Sequence, residues 1–468
     1  MTITFHGAAQ NVTGSKHLIE SQGFKLLLDC GLFQGQRKVA REQNTGLPFN
    51  ASEINAVIVS HGHADHCGML PALVKAGFKG NIYATNATSE VMRYILLDSA
   101  KIQEQDANYY NDRLPVGEDP IYPLYTSEDV ESAMTHVRPI PYFRVRPQWT
   151  ILNERIRFKF YDAGHILGSS VIYIEIVENG KIHTLAFSGD LGRRNVPILH
   201  PPEYIKEPVE TMIMESTYGH RNHRTIDEAK DELAEIVQQA VKNRTKIIVP
   251  AFSLGRTQEL VYLLHELTDG HKIPRIPIYI DSPLAGNLSE VFMRHSEDFD
   301  EESWRDFGVR GESPLAFRNL TYTQSIEESK ALNTKPGPFM IISASGMAEG
   351  GRILHHLKNN IEDNNAIILF TGYQAEHTLG RKIIEGISPV RIFGRQYKVN
   401  AQIRKINELS AHADQAGLLD YIDHTKDLKN VFVVHTETDQ GEAFMTALRN
   451  KYPNLHVDMP EKGKTVKI

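Results

Sequence analysis

Apolar and polar positions fall into two rhythms along the chain. Over the first third, short runs rich in β-branched and aromatic residues predict strands at 25–29, 56–60, 82–85, 156–160, 171–177 and 183–187, with a helical period at 87–108. From about residue 211 strands and helices alternate. Strand 211–214 is followed by a helix opened by the capping box Thr225-Ile226-Asp227-Glu228. Strand 246–249, helix 256–267 and strands at 278–280, 339–343 and 366–370 come next, which is a doubly wound α/β pattern. After about residue 399 the chain predicts a strand at 401–409, a helix, a strand at 430–434 and a helix at 441–450. The polar stretch 297–311 and Pro336-Gly337-Pro338 read as loops inside the second unit.

At 468 residues the chain exceeds what one hydrophobic core sustains, so two domains are expected. Hydrophobic residues make up 41% and charged residues 23%, ordinary globular values that argue against disorder. The two cysteines, Cys30 and Cys67, exclude a disulfide framework and point to a reducing compartment. The amino terminus lacks a secretory signal pattern and no 18-residue apolar stretch occurs, so a cytoplasmic protein with no membrane partner is expected. A net charge of −7 is unusual for a nucleic-acid binder. A basic groove can nevertheless coexist with an acidic exterior, and bound divalent metal adds positive charge where a phosphate would sit. Basic residues bunch at Arg37-Lys38 with Arg41, at Arg138, Arg144 and Arg146, at Arg193-Arg194, at Arg221 and Arg224, and at Arg391, Arg395 and Lys398. Most such bunches are solvated faces, and one or two are expected to touch a ligand.

The densest chemistry is His61-Gly62-His63-Ala64-Asp65-His66, directly after the apolar run 56–60. Open α/β sheets place ligands on loops at strand carboxyl ends. There His61 and His63 can project together while Asp65 and His66 turn to a second point, so one loop can serve two adjacent ions. Three more candidates follow strands: His165 in Asp162-Ala163-Gly164-His165, Asp190 in Phe187-Ser188-Gly189-Asp190, and His435 after 431–434. A lone histidine is more often a structural residue. Together they complete a stoichiometry, with His61, His63 and His165 for one ion, Asp65, His66 and His435 for the other, and Asp190 bridging.

These residues resemble the metallo-β-lactamase superfamily and, within it, the β-CASP nucleases. The first likeness rests on Asp29 in Leu27-Leu28-Asp29-Cys30-Gly31, the His61 to His66 cluster, His165 and Asp190. The second rests on Glu215 in Met214-Glu215-Ser216-Thr217-Tyr218-Gly219 (motif A), His412 in Ser410-Ala411-His412-Ala413-Asp414 (motif B) and His435 (motif C). It extends to Pro250-Ala251-Phe252-Ser253-Leu254-Gly255-Arg256, to Ser343-Ala344-Ser345-Gly346-Met347 with Gly350-Gly351-Arg352, and to Thr371-Gly372-Tyr373-Gln374-Ala375. The chain looks like a compact bacterial relative of the pre-mRNA 3′-end cleavage endonuclease. The resemblance implies an αββα metallo-β-lactamase sandwich, residues 1–210 and 399–468, interrupted by an inserted doubly wound β-CASP domain, 211–398. Two positions depart from the family's usual glycine, His377 and Thr436.

What the resemblance implies is a zinc-dependent ribonuclease, with two Zn2+ and with Asp29 supporting the metal loop. Phosphodiester hydrolysis by a metal-bound hydroxide would leave a 5′-phosphate, with Asp65 orienting the hydroxide. On residues alone Glu215 reads as a turn carboxylate and His412 as a residue at a helix start; the resemblance makes His412 the general acid and Glu215 its partner. Single-stranded RNA is the expected substrate, because β-CASP members acting on RNA have histidine at motif C and DNA-repair relatives usually an aliphatic residue. It would suit a cleft between two domains. Arg256, Ser345, Gly346, Gly350, Arg352 and Gln374 are the candidate substrate-binding residues, and Tyr218, Phe252 and Tyr373 the candidate stacking aromatics. Another metallo-β-lactamase-fold hydrolase, a DNA nuclease or thioesterase, is the rival enzyme reading, and a non-catalytic RNA-binding subunit the rival from another class. Endonuclease action is expected, although exonuclease action and a homodimer stay open.

Overall fold

The computed structural model describes residues 1–468 except Gln36, Val116, Asn195, Trp304, 306–312, Tyr373, Glu376, Asn407 and Glu408, and except the side chains of Arg37, Lys38 and Glu302. Chain contacts divide it into two compact units, Met1–Arg194 with Pro201–Asn222 and His412–Ile468, and Asn195–His200 with His223–Ala411.

The first unit is built on two seven-stranded sheets. One runs Thr465–Lys467, Thr2–Gly7, Lys16–Ser21, Phe24–Leu28, Ala56–Ile58, Asn81–Thr85, Val137–Ile140; the other runs His456–Asp458, Asn430–Val434, Thr211–Glu215, Lys181–Phe187, Ser170–Glu178, Ile156–Asp162, Thr150–Ile151. Strand periodicity distributes each run between two cores. Phe432 and Val434 join Phe5, Leu28, Ile58, Phe160 and Ile174 between the sheets, while Val431 and Val433 face outward with Met212, Leu418, Phe444 and Leu448. Leu418 lies on helix Gln415–Asp423 and Phe444 on helix Thr438–Lys451, so helices cover that outer face. Helices Leu70–Lys75, Asn86–Asn111 and Ser127–Met134 cover the other sheet through Leu70, Met92 and Val130. The layering is αββα. Coverage on both faces explains why these strands read as continuous apolar runs.

The second unit holds a six-stranded parallel sheet in the order Leu320–Tyr322, Ile278–Ile280, Phe339–Ser343, Lys246–Pro250, Ile367–Phe370, Gln402–Lys405. Helix Ile226–Asn243 starts at the expected box, with Thr225 accepting from Glu228 N and Glu228 returning to the Thr225 backbone. Within 297–311, read as loop, short helical turns occur at Ser296–Asp298 and Glu301–Ser303, and 306–311 lie outside the described residues. No helix among the described residues is long and apolar enough to cross a membrane.

Two strands sit elsewhere than the sequence pattern predicts. Strand 211–214, expected to open the inserted segment, is Thr211–Glu215 and lies between Lys181–Phe187 and Asn430–Val434 in the first unit. Strand 401–409, expected in the returning sandwich, is Gln402–Lys405 and forms an edge of the second unit's sheet, beside Ile367–Phe370; Asn407 and Glu408 lie outside the described residues. Both units use parallel pairing of buried strands, so hydrophobic period cannot assign a strand to one sheet or the other. The amino-terminal strands Thr2–Gly7 and Lys16–Ser21 escape the pattern because buried Thr4, Lys16 and His17 interrupt their apolar runs.

A buried carboxylate ties the strand ends of the second unit together. Asp281, just past strand Ile278–Ile280, accepts from His356 Nε2 at 2.6 Å, Ser329 Oγ at 2.5 Å, Arg352 Nη1 at 2.7 Å and the Thr323 hydroxyl. Burial pushes its carboxyl up, but these donors, His356 foremost, outweigh burial and hold it well below the usual carboxylate range. A depressed folded-state value contributes stability that is complete above the unfolded-state pKa of about 4 and lost as pH falls below it. Asp281→Asn is therefore expected to destabilise the chain by about 3 kcal/mol at pH 7. Denaturant titrations of both proteins at pH 7 and pH 3.5 should find that difference shrinking in acid; a constant difference would reject the charge-based account.

Candidate metal centre

Each candidate ligand of the first unit leaves the carboxyl end of a strand. His61 to His66 follow Ala56–Ile58, His165 follows Ile156–Asp162, Asp190 follows Lys181–Phe187 and His435 follows Asn430–Val434. Close approach at the loops demands small residues. A Cβ on Gly31 would stand 1.6 Å from the Asp65 carbonyl oxygen, and Gly189, at φ +53°, would press a side chain on Ser60.

The donor atoms separate into two sets. His61 Nε2 lies 3.0 Å from His63 Nδ1, which lies 3.4 Å from His165 Nε2. Asp190 Oδ2 completes this set at 3.3 Å from His61 and 3.5 Å from His165. In the other set His435 Nε2 is 3.4 Å and His66 Nε2 4.0 Å from Asp65 Oδ2. The second Asp190 oxygen, Oδ1, faces this set, 3.2 Å from His66 Nε2 and 3.7 Å from His435 Nε2. One carboxylate thus gives one oxygen to each set. All seven expected ligands are brought together, in the expected grouping.

The arrangement fits divalent metal. Donors about 2.1 Å from a tetrahedral ion stand about 3.4 Å apart, close to the separations found here. His66 Nε2 and Asp190 Oδ1 are buried and 3.2 Å apart, yet neither has a hydrogen-bond partner. Such orphaned atoms are costly unless something else binds them. Burial, then the neighbouring His66, presses His61 down to about 3. Burial likewise takes His63 to about 4 and His165 well below its ordinary value. Neutral imidazole is the form that binds metal. For His66 burial also acts downward, but Asp190 and Asp29 override it and raise the imidazole well above normal. Asp65 and Asp190 stay below the carboxylate range despite burial, because His435 and His66 stand beside them. A cation among these carboxylates replaces the charge that a proton on His66 would otherwise supply.

Three of the five imidazoles are aimed by their other ring nitrogen. Asp29 accepts His66 Nδ1 at 2.7 Å, the Ser60 amide at 2.7 Å and the hydroxyls of Ser15 and Ser60 at 3.1 and 3.0 Å. Ser60 Oγ in turn meets His61 Nδ1 at 3.1 Å, and Thr217 Oγ1 meets His435 Nδ1 at 3.0 Å. Ser60 and Thr217 are absent from the sequence-derived list because a hydroxyl is no metal ligand here. Their only signal is adjacency to His61 and Glu215.

Glu215 is fully buried, accepts Leu191 N at 2.7 Å and Thr217 N at 3.1 Å, and binds His412 Nδ1 at 2.9 Å. His412 Nε2 then points toward the cluster, 4.0 Å from Asp190 Oδ2, with its ring 4.4 Å from that of His165. Burial acts downward on His412, but Glu215 prevails and raises it to about 9.

The expected substrate-binding residues belong to the second unit, on loops past three adjacent strands, Phe339–Ser343, Lys246–Pro250 and Ile367–Phe370. Gln374 Nε2 donates to Gly346 O at 3.0 Å, and the Phe252 ring lies so close to Gly346 that a Cβ there would come within 2.7 Å. Ser345 N bonds Gly350 O at 3.2 Å, and a Cβ on Gly350 would meet open space. Arg256 pairs with Glu259, and Arg352 is held by Asp281 and by Gln324 O at 2.9 Å. Tyr218 is buried, Phe252 is exposed, and Tyr373 lies outside the described residues.

Both departures from glycine have local consequences. His377 sits at φ +67°, a left-handed conformation that costs a side-chain-bearing residue about 1–2 kcal/mol. Thr436 is buried and donates its hydroxyl to Ser216 O at 3.1 Å, lacing the motif C loop to the motif A loop.

The sequence matches three family descriptions: "Metallo-beta-lactamase superfamily" over residues 14–251, "Beta-Casp domain" over 257–383 and "Zn-dependent metallo-hydrolase RNA specificity domain" over 396–460. It is similar to Ribonuclease TTHA0252 of Thermus thermophilus, 36% identical over 97% of this chain and 98% of that protein. An RNase J-like protein of Methanocaldococcus jannaschii is 30% identical over 94% of each chain. Transcription termination factor FttA of the same organism is 29% identical over 96% of this chain and 69% of its own. Among solved structures, a protein of unknown function from Enterococcus faecalis V583 superposes with a TM-score of 0.55 at 14% identity, covering 100% of this chain and 99% of that one, a likeness of fold alone.

Asp29 touches none of the positions where an ion would sit, so its effect should pass through His66. Asp29→Asn keeps the shape but removes the charge behind His66 Nδ1, and should weaken divalent-metal affinity about 10- to 100-fold. Competition against a chromophoric chelator measures this, and unchanged affinity would remove Asp29 from its supporting role.

Proposed function

The chain belongs to the β-CASP group of the metallo-β-lactamase superfamily, and from that membership and the site we propose that it cleaves single-stranded RNA with two zinc ions, leaving a 5′-phosphate. It is a metal-dependent hydrolase acting on RNA. The observation that carries the finer reading is the division of Asp190 between two donor sets, with His412 beside them. His61, His63 and His165 would hold one ion, Asp65, His66 and His435 the other, and Asp190 both. Bound there, the pair would supply Lewis-acid charge to the phosphoryl oxygens and a water of depressed pKa.

The residues of the chain do the remainder. Asp65 orients the attacking water. His412 Nε2 donates a proton to the departing 3′-oxygen, while Glu215, fixed by two backbone amides, retains the Nδ1 proton and so sets the tautomer. Because the departing group is the 3′-oxygen and the nucleophile is water, not the ribose 2′-hydroxyl, the phosphate stays on the 5′ end of the downstream product. In the second unit, backbone groups of the Ser345, Gly346 and Gly350 loop meet RNA phosphates, with Gln374 and Arg352 shaping the loop and Arg256 beside it. A thioesterase would have no use for the Glu215–His412 pair, and the complete ligand set speaks against a non-catalytic subunit.

Linear and circular labelled RNA, single-stranded DNA and an acyl thioester, each with and without chelator, test the assignment. RNA alone should be cut, chelator should stop it and zinc should restore it; a faster thioester or DNA reaction would overturn the reading. His63→Ala and Asp190→Ala should abolish cleavage while RNA binding persists, and His412→Ala should slow it about 10²- to 10⁴-fold. A cyclic phosphate product would refute water as nucleophile, and a linear 3′-phosphate would refute the 3′-oxygen as the leaving group.

A further inference from the structure

Past motif A the chain reads Gly219-His220-Arg221-Asn222-His223-Arg224, a basic tract that the metal chemistry does not use. Gly219 to Asn222 belong to the first unit and are stapled beside His412. Tyr218 forms an isolated parallel bridge with Asp414, Gln415 N donates to Arg221 O at 3.1 Å, Gln415 Nε2 to Gly219 O at 2.7 Å, and Ala416 N to Asn222 Oδ1 at 3.1 Å. These bonds join the tract to the start of helix Gln415–Asp423, three residues beyond the proposed general acid.

The Arg221 guanidinium lies over the Tyr218 ring, 4.9 Å from its centroid, and the Tyr218 ring lies 6.2 Å from that of His412. Four other arginines of the basic bunches are engaged. Arg144 pairs with Asp162 at 3.0 Å, Arg194 with Asp420 at 3.5 Å and Arg224 with Glu232 at 3.2 Å, while Arg138 donates to two backbone carbonyls. Arg221 is exposed, and among the described residues no carboxylate pairs with it. Stacking on an aromatic face fixes the plane of a guanidinium and leaves its N–H edges outward, the form suited to bidentate phosphate binding.

We infer that Arg221 is a substrate-positioning residue that binds a backbone phosphate of the RNA strand on the 5′ side of the scissile bond. The assignment rests on the ribonuclease reading above, because the side is fixed by the role given to His412. His412 protonates the departing 3′-oxygen, which belongs to the upstream nucleotide. Tyr218 joins Arg221 to His412 by ring contact, so the charge Arg221 presents is placed with the group that protonates the leaving strand. In a chain of net charge −7, an exposed arginine with no carboxylate partner among the described residues supplies local positive charge for a phosphate.

The test uses single-site RNA substrates carrying one neutral methylphosphonate at successive positions on either side of the cleaved bond, with the full-length metal-loaded protein. For the unaltered protein one upstream neutralisation should raise KM about tenfold with kcat nearly constant, and Arg221→Gln should raise KM on unmodified RNA similarly while losing sensitivity at that position alone. Arg221→Lys should recover part of the affinity, since it keeps charge without the fork. The slope of log(kcat/KM) against log salt should become shallower by about 0.7 in Arg221→Gln, the value for one phosphate contact on a single strand. In a cleavage-dead His63→Ala background, Arg221→Gln should lower RNA affinity about tenfold, a readout independent of turnover. Identical methylphosphonate profiles for the two proteins, or a lost sensitivity downstream of the bond, would overturn the inference while leaving the ribonuclease assignment intact. Failure of the unaltered protein to cut unmodified RNA would overturn the assignment and this inference with it.

Discussion

Three carboxylates and several imidazoles are buried at one end of a two-sheet sandwich, and that burial constrains everything around them. Asp29, Asp190 and Glu215 lie almost without solvent, as do His61, His66 and His165. Stripping water from ionised groups costs several kcal/mol each unless partners replace it. Asp29 is repaid by Ser15, Ser60 and His66, and Glu215 by Leu191, Thr217 and His412. Asp190 is the exception. One of its oxygens has no hydrogen-bond partner although several imidazole nitrogens surround it. That packing suggests a metal site, since a cation there would satisfy the orphaned oxygen.

Much of that centre was legible in the sequence because its ligands follow a rule of position. His61, His165, Asp190 and His435 each stand just beyond an apolar run, and short runs of buried strand are the pattern that sequence periodicity detects best. The convergence of those runs was not legible from period alone. It came from likeness to a family, and the chain brings the seven side chains into two neighbouring groups. The same limit explains the two strands assigned to the wrong unit, Thr211–Glu215 and Gln402–Lys405. Parallel strands buried on both faces carry no mark of which sheet they enter. The supporting hydroxyls of Ser60 and Thr217 were invisible for another reason, since a serine or threonine at a strand end has many ordinary hydrogen-bonding uses.

Arg352 and Arg256 show how a basic residue among candidate substrate-binding positions can be structural first. Arg352 has its guanidinium committed to Asp281 and a backbone carbonyl, and Arg256 has Glu259. Their contribution to any ligand passes through the shape of the loops they anchor. Arg221 is the contrasting case, where the stacking partner fixes orientation without consuming the charge.

The centre is also the last part of the first unit that the chain can complete. His435 and Asp65 are separated by 370 positions and yet lie 3.4 Å apart. The peptide at His435 is held by Ala8 O at 2.6 Å, and the terminal strand Thr465–Lys467 pairs with Thr2–Gly7. His412 and His435 therefore enter the site only after the segment inserted between Asn222 and His412 has been passed and the strand Asn430–Val434 has docked beside Thr211–Glu215. Contacts of such sequence separation carry a loop-closure cost that the packing of the sandwich around them offsets. The early ligands His61, His63 and His165 need no such closure, being carried by strands within the first 170 residues. Of the two donor sets, the one containing His435 thus draws on both stretches of the first unit, while the other, completed by Asp190, draws only on the stretch before the insertion.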